Sequence, residues 1–364
     1  MGMILIVIFA VSLQMVGIIS VPMQGVSDRQ ELQVNGEKVI AQILSLGSPS
    51  NWGDILNNTS PSFNFGLAKQ GNTTRGTYVL DVNKVQRLNL NHPYNLDTVD
   101  VQKALNIERT YGFAIQLTPV FDITVRKIST DIFKVDMHWK KSGFPVSNAN
   151  VTAQMFYLEN VSRTVKLFGN GKNSTIGING TTQTSLDFTG ANPGLKVLVV
   201  MTDYIGARAY YIYDASDYSN RTILAIQIKD NLLIDNQYNS TTSNPTLYEV
   251  LSIKTSQPGN LTNYNFKLIT VNTTLSDQGN APPPAGSFRR YTIDNPEQMV
   301  TGIIVVQNMG GIPYLAFTNS TFGDYTFNTS PGLTVFPPGI QLDRLVSIED
   351  SLYDMRLNLW RMSQ

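Results

Sequence analysis

Paired carboxylates are the chain's nearest approach to a catalytic pattern. Two pairs stand at short spacing, Asp131 with Asp136 and Asp214 with Asp217. Such pairs divide general-acid and general-base work in hydrolysis, or together hold Ca2+. Here the acids fall in alternating or turn-rich stretches, where an ordinary strand or turn carboxylate is the simpler reading. The two histidines stand far apart. His138 lies in the alternating run DIFKVDMHWKK and reads as a strand residue; His92, before Pro93, reads as a turn residue. Neither suits a two-histidine metal site or a histidine-dependent triad. With no cysteine, thiol nucleophiles, disulfides, Fe–S clusters and thiolate zinc sites are excluded. A phosphate-binding glycine loop, a nucleophile elbow and an HExxH pattern are all missing. The expectation is therefore a non-enzyme with no catalytic, cofactor-binding or metal-ligating residue. The tyrosines from Tyr204 to Tyr218 could form an aromatic sugar-binding face, although edge and core positions of a β-sandwich explain them more simply.

A second chemistry is modification. Asn-x-Ser/Thr sequons begin at Asn57, Asn58, Asn72, Asn150, Asn160, Asn173, Asn179, Asn220, Asn239, Asn260, Asn272, Asn319 and Asn328. They exceed the roughly five or six that composition alone would supply, and each is a candidate for N-glycosylation. If they are used, the span from Asn57 to Asn328 lies outside the cell. Charge points the same way. Lys plus Arg and Asp plus Glu both number 27, charged residues make up only 15% of the chain, and no dense basic run occurs. No net field favours nucleic acid, and solubility rests on Asn, Ser, Thr and Tyr.

These groups need elements to carry them. Met1 to Val26 is uncharged. As a helix rising about 1.5 Å per residue it would reach roughly 39 Å, enough to cross a hydrocarbon core of about 30 Å. No Lys or Arg precedes the run, and it is longer than the apolar core of a secretory signal. An uncleaved anchor over residues 1–26 is favoured over a cleaved signal or a buried core helix. Across 27–48, Leu32, Val39, Ile43 and Leu46 keep helical spacing, interrupted by Gly36, and predict an amphipathic stalk ending near Gly47. A small α/β neck follows over 49–120, with Asp81 and Asp97 as helix N-caps.

From Phe121 the period changes to two. FDITVRKI, DIFKVDMHW and GLKVLVVMTDYIGARAYYIYD, divided by Gly- and Asn-rich turns, predict an antiparallel sandwich over 121–214. A second β domain is expected over 215–339, with Met309-Gly310-Gly311-Ile312 turning a hairpin and APPPAGSFRR as an exposed excursion or break. Over 340–364, Leu345, Ile348, Leu352, Met355 and Leu359 step by three and four and predict a C-terminal amphipathic helix packed on this chain or on a partner. The fold class is thus mainly β, with helices at both ends.

The apolar helix running into an amphipathic one, then ILSLGSPSNW, FGLA, LDVNKVQRL and YGFAIQL, resembles the N-terminal module of archaeal pilin-like surface proteins of the class III signal-peptide type, over roughly Met1 to Leu117. That resemblance implies assembly through packed N-terminal helices and a β-rich head displayed outside. Gly143-Phe-Pro145-Val146 with Ala149 and Val151, answered by Val199 to Gly206, is similar to bacterial Ig-like stalk domains. This likeness implies architecture rather than chemistry. The resulting expectation is a membrane-anchored, extracellular structural protein whose partners are the lipid membrane, further surface subunits or copies of itself, and glycans. The alternative is a monomeric tethered adhesin or a solute- or carbohydrate-binding module.

Overall fold

The computed structural model describes residues 28–56, 64–71, 78–108, 110–129, 131–159, 164–186, 195–215, 222–235, 246–256, 265–270, 276–282, 288–293, 301–307, 313–319, 323–329 and 336–362. The proposed anchor over 1–26 lies outside them. Among the described residues no helix is long and apolar enough to cross a membrane. Among the described residues the structure is mainly β.

Helix α1 (28–43) forms where the amphipathic stretch was expected, and its apolar stripe explains where it sits. Val39, Ile40, Ile43 and Leu44 are buried and Leu32 packs beside them, whereas Leu46, beyond the helix, is 41% exposed. Gly47, at φ +71°, then turns the chain, and a Cβ there would meet Asn64 O at 2.6 Å, so only glycine fits. A single 3-10 turn (Trp52–Asp54) buries Trp52 completely. Strand β1 (Tyr78–Leu80), helix α2 (Val82–Gln86), helix α3 (Thr98–Ala104) and strand β2 (Tyr111–Pro119) follow. Asp81 caps α2 by accepting from the amides of Asn83 and Lys84, and Asp97 caps α3 through Val99 N. Both satisfy amides that a helix start leaves without a partner.

Residues 340–361 overturn the expected C-terminal helix. They form strands β19 (Ile340–Ile348) and β20 (Ser351–Arg361), joined at Glu349-Asp350 with Glu349 at φ +51°. The three-and-four stepping shared several positions with a strict alternation, and the alternation is what the fold uses. Ile340, Leu342, Val346, Ile348, Tyr353, Met355, Leu357 and Leu359 face the core, whereas Leu345 is 47% exposed and Leu352 half-buried. A heptad seam would have required Leu345 and Leu352 to be covered equally with Ile348 and Met355. Trp360, also within that stretch, is buried and stacked on Phe336 at 5.5 Å. Strand β19 pairs with β1 in parallel and with β20 in antiparallel register, and β20 pairs with β2 along its other edge. Helix α1 and the 3-10 turn cover this sheet, so its core joins both ends of the described chain.

At Pro119 the chain leaves this sheet and begins a three-stranded one, β3 (Phe121–Lys127), β4 (Ile132–Trp139) and β7 (Thr181–Ser185), in the order β3-β4-β7. It faces β5 (Asn150–Leu158), β6 (Val165–Thr175), β8 (Lys196–Tyr204) and β9 (Ala207–Asp214), ordered β9-β8-β5-β6 and continuous with β20 through Ser351 and Arg208. Ile123, Val125, Phe133, Val135, Met137, Leu198 and Val200 fill the space between them. The opposite face of the four strands is buried too. Val197, Val199, Met201 and Phe156 pack on Leu251, Ile253, Ile303, Val305, Leu315 and Phe317. This accounts for the unbroken apolar run KVLVVMT, because a strand covered on both faces loses its alternation.

Those latter residues belong to an eight-stranded sheet in the order β13-β12-β16-β17-β10-β11-β15-β14. Its strands are β10 (Thr222–Ile228), β11 (Asn231–Asp235), β12 (Thr246–Ser256), β13 (Asn265–Thr270), β14 (Ser276–Asn280), β15 (Phe288–Thr292), β16 (Thr301–Gln307) and β17 (Pro313–Asn319). The expected hairpin is present as β16 against β17, in register from Thr301↔Asn319 to Gln307↔Pro313; its tip, 308–312, lies outside the described residues. The proline-rich stretch connects β14 and β15. Strand β18 (Tyr325–Asn328) then returns to pair with β2.

Candidate binding cleft

Of the two carboxylate pairs, Asp136 is committed to two cations rather than to a second acid. Asp136 is buried between Arg126 Nη2 and Lys134 Nζ, each at 2.7 Å. Burial pushes its carboxyl up, but the hydrogen bonds from Lys134 and Arg126 outweigh this and hold it below the ordinary carboxylate range. An acid so held is a poor proton donor near neutrality. Asp214 is exposed at the end of β9, and Asp217 lies outside the described residues. No group of three His, Asp or Glu able to hold a metal occurs among the described residues.

His138 is a half-buried strand residue in register with Asp122. His92 is a turn residue, as expected, but a buried one. Its Nδ1 accepts from Tyr94 N at 3.1 Å, which leaves the proton on Nε2. Burial, with the nearby Arg87 charge, lowers its pKa to about 3. The packing around α2 also encloses two cations the sequence did not single out. Lys84 Nζ donates to Leu46 O at 2.7 Å and Ala68 O at 2.9 Å. Arg87 donates to Tyr94 O, Trp52 O and Ile55 O. Both cations lie within 6 Å of the Trp52 ring centroid, at 5.8 and 5.7 Å. They stitch irregular segments together by capping carbonyls that no strand reaches.

Of the sequons, Asn173 and Asn179 are exposed, while Asn150 and Asn328 are half-buried. Asn179 Oδ1 accepts from Thr181 N and Oγ1, and Asn173 Oδ1 accepts from buried Thr152, the hydroxyl member of the Asn150 sequon. Asn319 ends β17. Asn57, Asn58, Asn72, Asn160, Asn220, Asn239, Asn260 and Asn272 lie outside the described residues.

The tyrosines divide between packing and a concave site. Tyr204 makes edge contacts with Phe121 and Trp139, both at 5.9 Å between centroids, and Phe121 and Trp139 stand 4.9 Å apart. Beside this trio, where β3, β9 and β20 all begin, is a cleft of about 200 Å³ whose walls include Phe121, Asp122, Lys140, Tyr210, Tyr211 and Ser351. Arg208 fixes its floor. Its Nη1 reaches Asp350 Oδ2 at 2.8 Å and its Nε reaches Asp203 Oδ2 at 3.5 Å. The Tyr210 hydroxyl donates to the same Asp350 oxygen at 2.9 Å. Burial and the Asp350 charge push the Tyr210 phenol up, so it remains a donor. Lys140 pairs with Asp324 at 2.9 Å. Ser351 Oγ is buried with no hydrogen-bond partner.

This end of the sandwich is also apolar at its turn tips. Phe144 between β4 and β5, Ile178 between β6 and β7, and Ile205 between β8 and β9 are 70, 89 and 87% exposed. The pairing of Asn150 with both Asp203 and Thr175, and of Asp136 with Thr181, puts these turns at one end. The arrangement can bind and orient a ligand. Among the described residues that line the cleft, none is a serine nucleophile hydrogen-bonded to a base. No family model matches the chain, and no curated protein matches its sequence.

Proposed function

We propose that this is a membrane-anchored, extracellular surface protein of pilin-like architecture, in which residues 1–26 anchor or assemble the molecule and the β-rich remainder is displayed. The observation that carries this reading is the seating of α1. Its C-terminal half is buried on the sheet that carries β19 and β20, and its start is clasped by Arg361, whose Nη2 contacts Glu31 at 2.6 Å. The uncharged run thus leads into a helix fixed to the head, so a pull on one is passed to the other. The strand order β3-β4-β7 over β9-β8-β5-β6 supports an Ig-like reading of the sandwich. Exposed Asn173 and Asn179 are the described sequons best placed for glycans.

Blue-native mobility and electron microscopy of native membranes test assembly. The pilin-like reading expects oligomers or filaments that deletion of residues 1–26 converts to soluble monomers. A membrane-bound monomer would leave the anchor and remove assembly. A tethered adhesin, with the cleft and the apolar turn tips as its contact surface, would then be the better reading.

A further inference from the structure

We propose that the cleft beside Ser351 binds one neutral pyranose-class sugar, free or at the end of a glycan. The inference deepens the adhesin reading and requires nothing of the anchor. Size sets the first bound. At about 200 Å³ the cleft is smaller than the roughly 300–1,000 Å³ of sites for drug-sized ligands, so it suits one ring rather than an oligosaccharide segment.

Polar chemistry sets the second bound. A buried hydroxyl with no partner, such as Ser351 Oγ, is costly and demands an explanation. A ligand hydroxyl, which donates and accepts at once, supplies one. On the rim, the Asp122 carboxylate is exposed and makes no ion pair or side-chain hydrogen bond among the described residues. A carboxylate can accept from two neighbouring hydroxyls of a ring. Phe121, Tyr210 and Tyr211 provide apolar surface for the C–H face of that ring.

Charge sets the third. Lys140 and Arg208 stand against Asp122, Asp203, Asp324 and Asp350, and each cation is already paired. Among the described residues lining the cleft no positive charge is left over for an anion, so uronates and other acidic sugars are disfavoured.

The test uses the full chain in a detergent without a sugar headgroup, with saturation-transfer NMR and calorimetry. The probes are the methyl glycosides of glucose, mannose and galactose, N-acetylglucosamine, glucuronate, tetramethylammonium and putrescine. At least one neutral sugar should saturate a single site with a Kd on the order of millimolar. Ser351→Ala and Asp122→Asn should each weaken it about tenfold. Ser351→Ala removes a hydroxyl that has no partner, so its melting temperature should equal or exceed the parent's, and lost binding would not reflect unfolding. Failure of every neutral sugar to saturate, a preference for glucuronate or for either cation, or binding that both variants leave unchanged would overturn the proposal. Membrane association measured on the same preparation reports the anchor separately.

Discussion

His92 shows how far the type of a residue and its setting can diverge. Its ordinary value of 6.5 is lowered to about 3 in the fold. A depressed value means that stabilisation is complete above pH 6.5 and is lost as pH falls toward 3, because the unfolded chain takes up a proton that the folded one refuses. The loss should run at about 1.4 kcal/mol per pH unit. Urea unfolding across that range should show the parent losing its advantage over His92→Gln with this slope, and a constant gap would refute the assignment. Arg87→Lys should cost about 2–4 kcal/mol in the same assay, since one ammonium cannot reach the three carbonyls that the guanidinium satisfies. Ile205 is a β-branched residue at φ +54° and 87% exposed. Ile205→Asn should therefore stabilise by about 1 kcal/mol, read as a rise in melting temperature. At this scale the sequence was only partly legible. A histidine before a proline announces a turn, and Asp81 and Asp97 announce caps. Nothing in VNKVQR marks Lys84 and Arg87 as buried, because a lysine on a short helix ordinarily faces water. Ser351 carried no sign at all, since its lack of a partner depends on strands distant in the chain.

Among the elements, the C-terminal hairpin is the instructive case. Apolar positions 348, 355 and 359 satisfy both a helical seam and a strand alternation, and local spacing cannot separate the two. Pairing with β1 and β2, more than two hundred residues earlier, decides it. The two readings differ at Leu345. In the hairpin, Leu345→Lys should change stability by no more than about 0.5 kcal/mol, whereas Met355→Ala should cost about 2–5 kcal/mol. Chemical denaturation of both variants checks this, and equal losses would restore the helical seam. Where one face met water, as in FDITVRK, alternation was plain and the strand was legible. β8 was legible as a strand, but its second buried face was not anticipated, because a layer supplied by a later sheet leaves no local mark beyond an excess of valine.

At the scale of the molecule, three β layers share β5 and β8 in the middle. Helix α1 sits on the sheet that joins the two ends of the described chain. This placement turns a candidate stalk into part of the head's foundation, and it makes the exposure of the head on the cell surface the central claim. Because the chain has no cysteine, a single reporter is clean. The decisive measurement is labelling of Ile178→Cys, at the 89% exposed turn tip, with a membrane-impermeant maleimide on intact cells, followed by alkaline extraction of the membranes. The account predicts a labelled protein that stays in the membrane pellet and is released when residues 1–26 are deleted. Labelling only after lysis, or a full-length chain recovered in the alkaline supernatant, would contradict it.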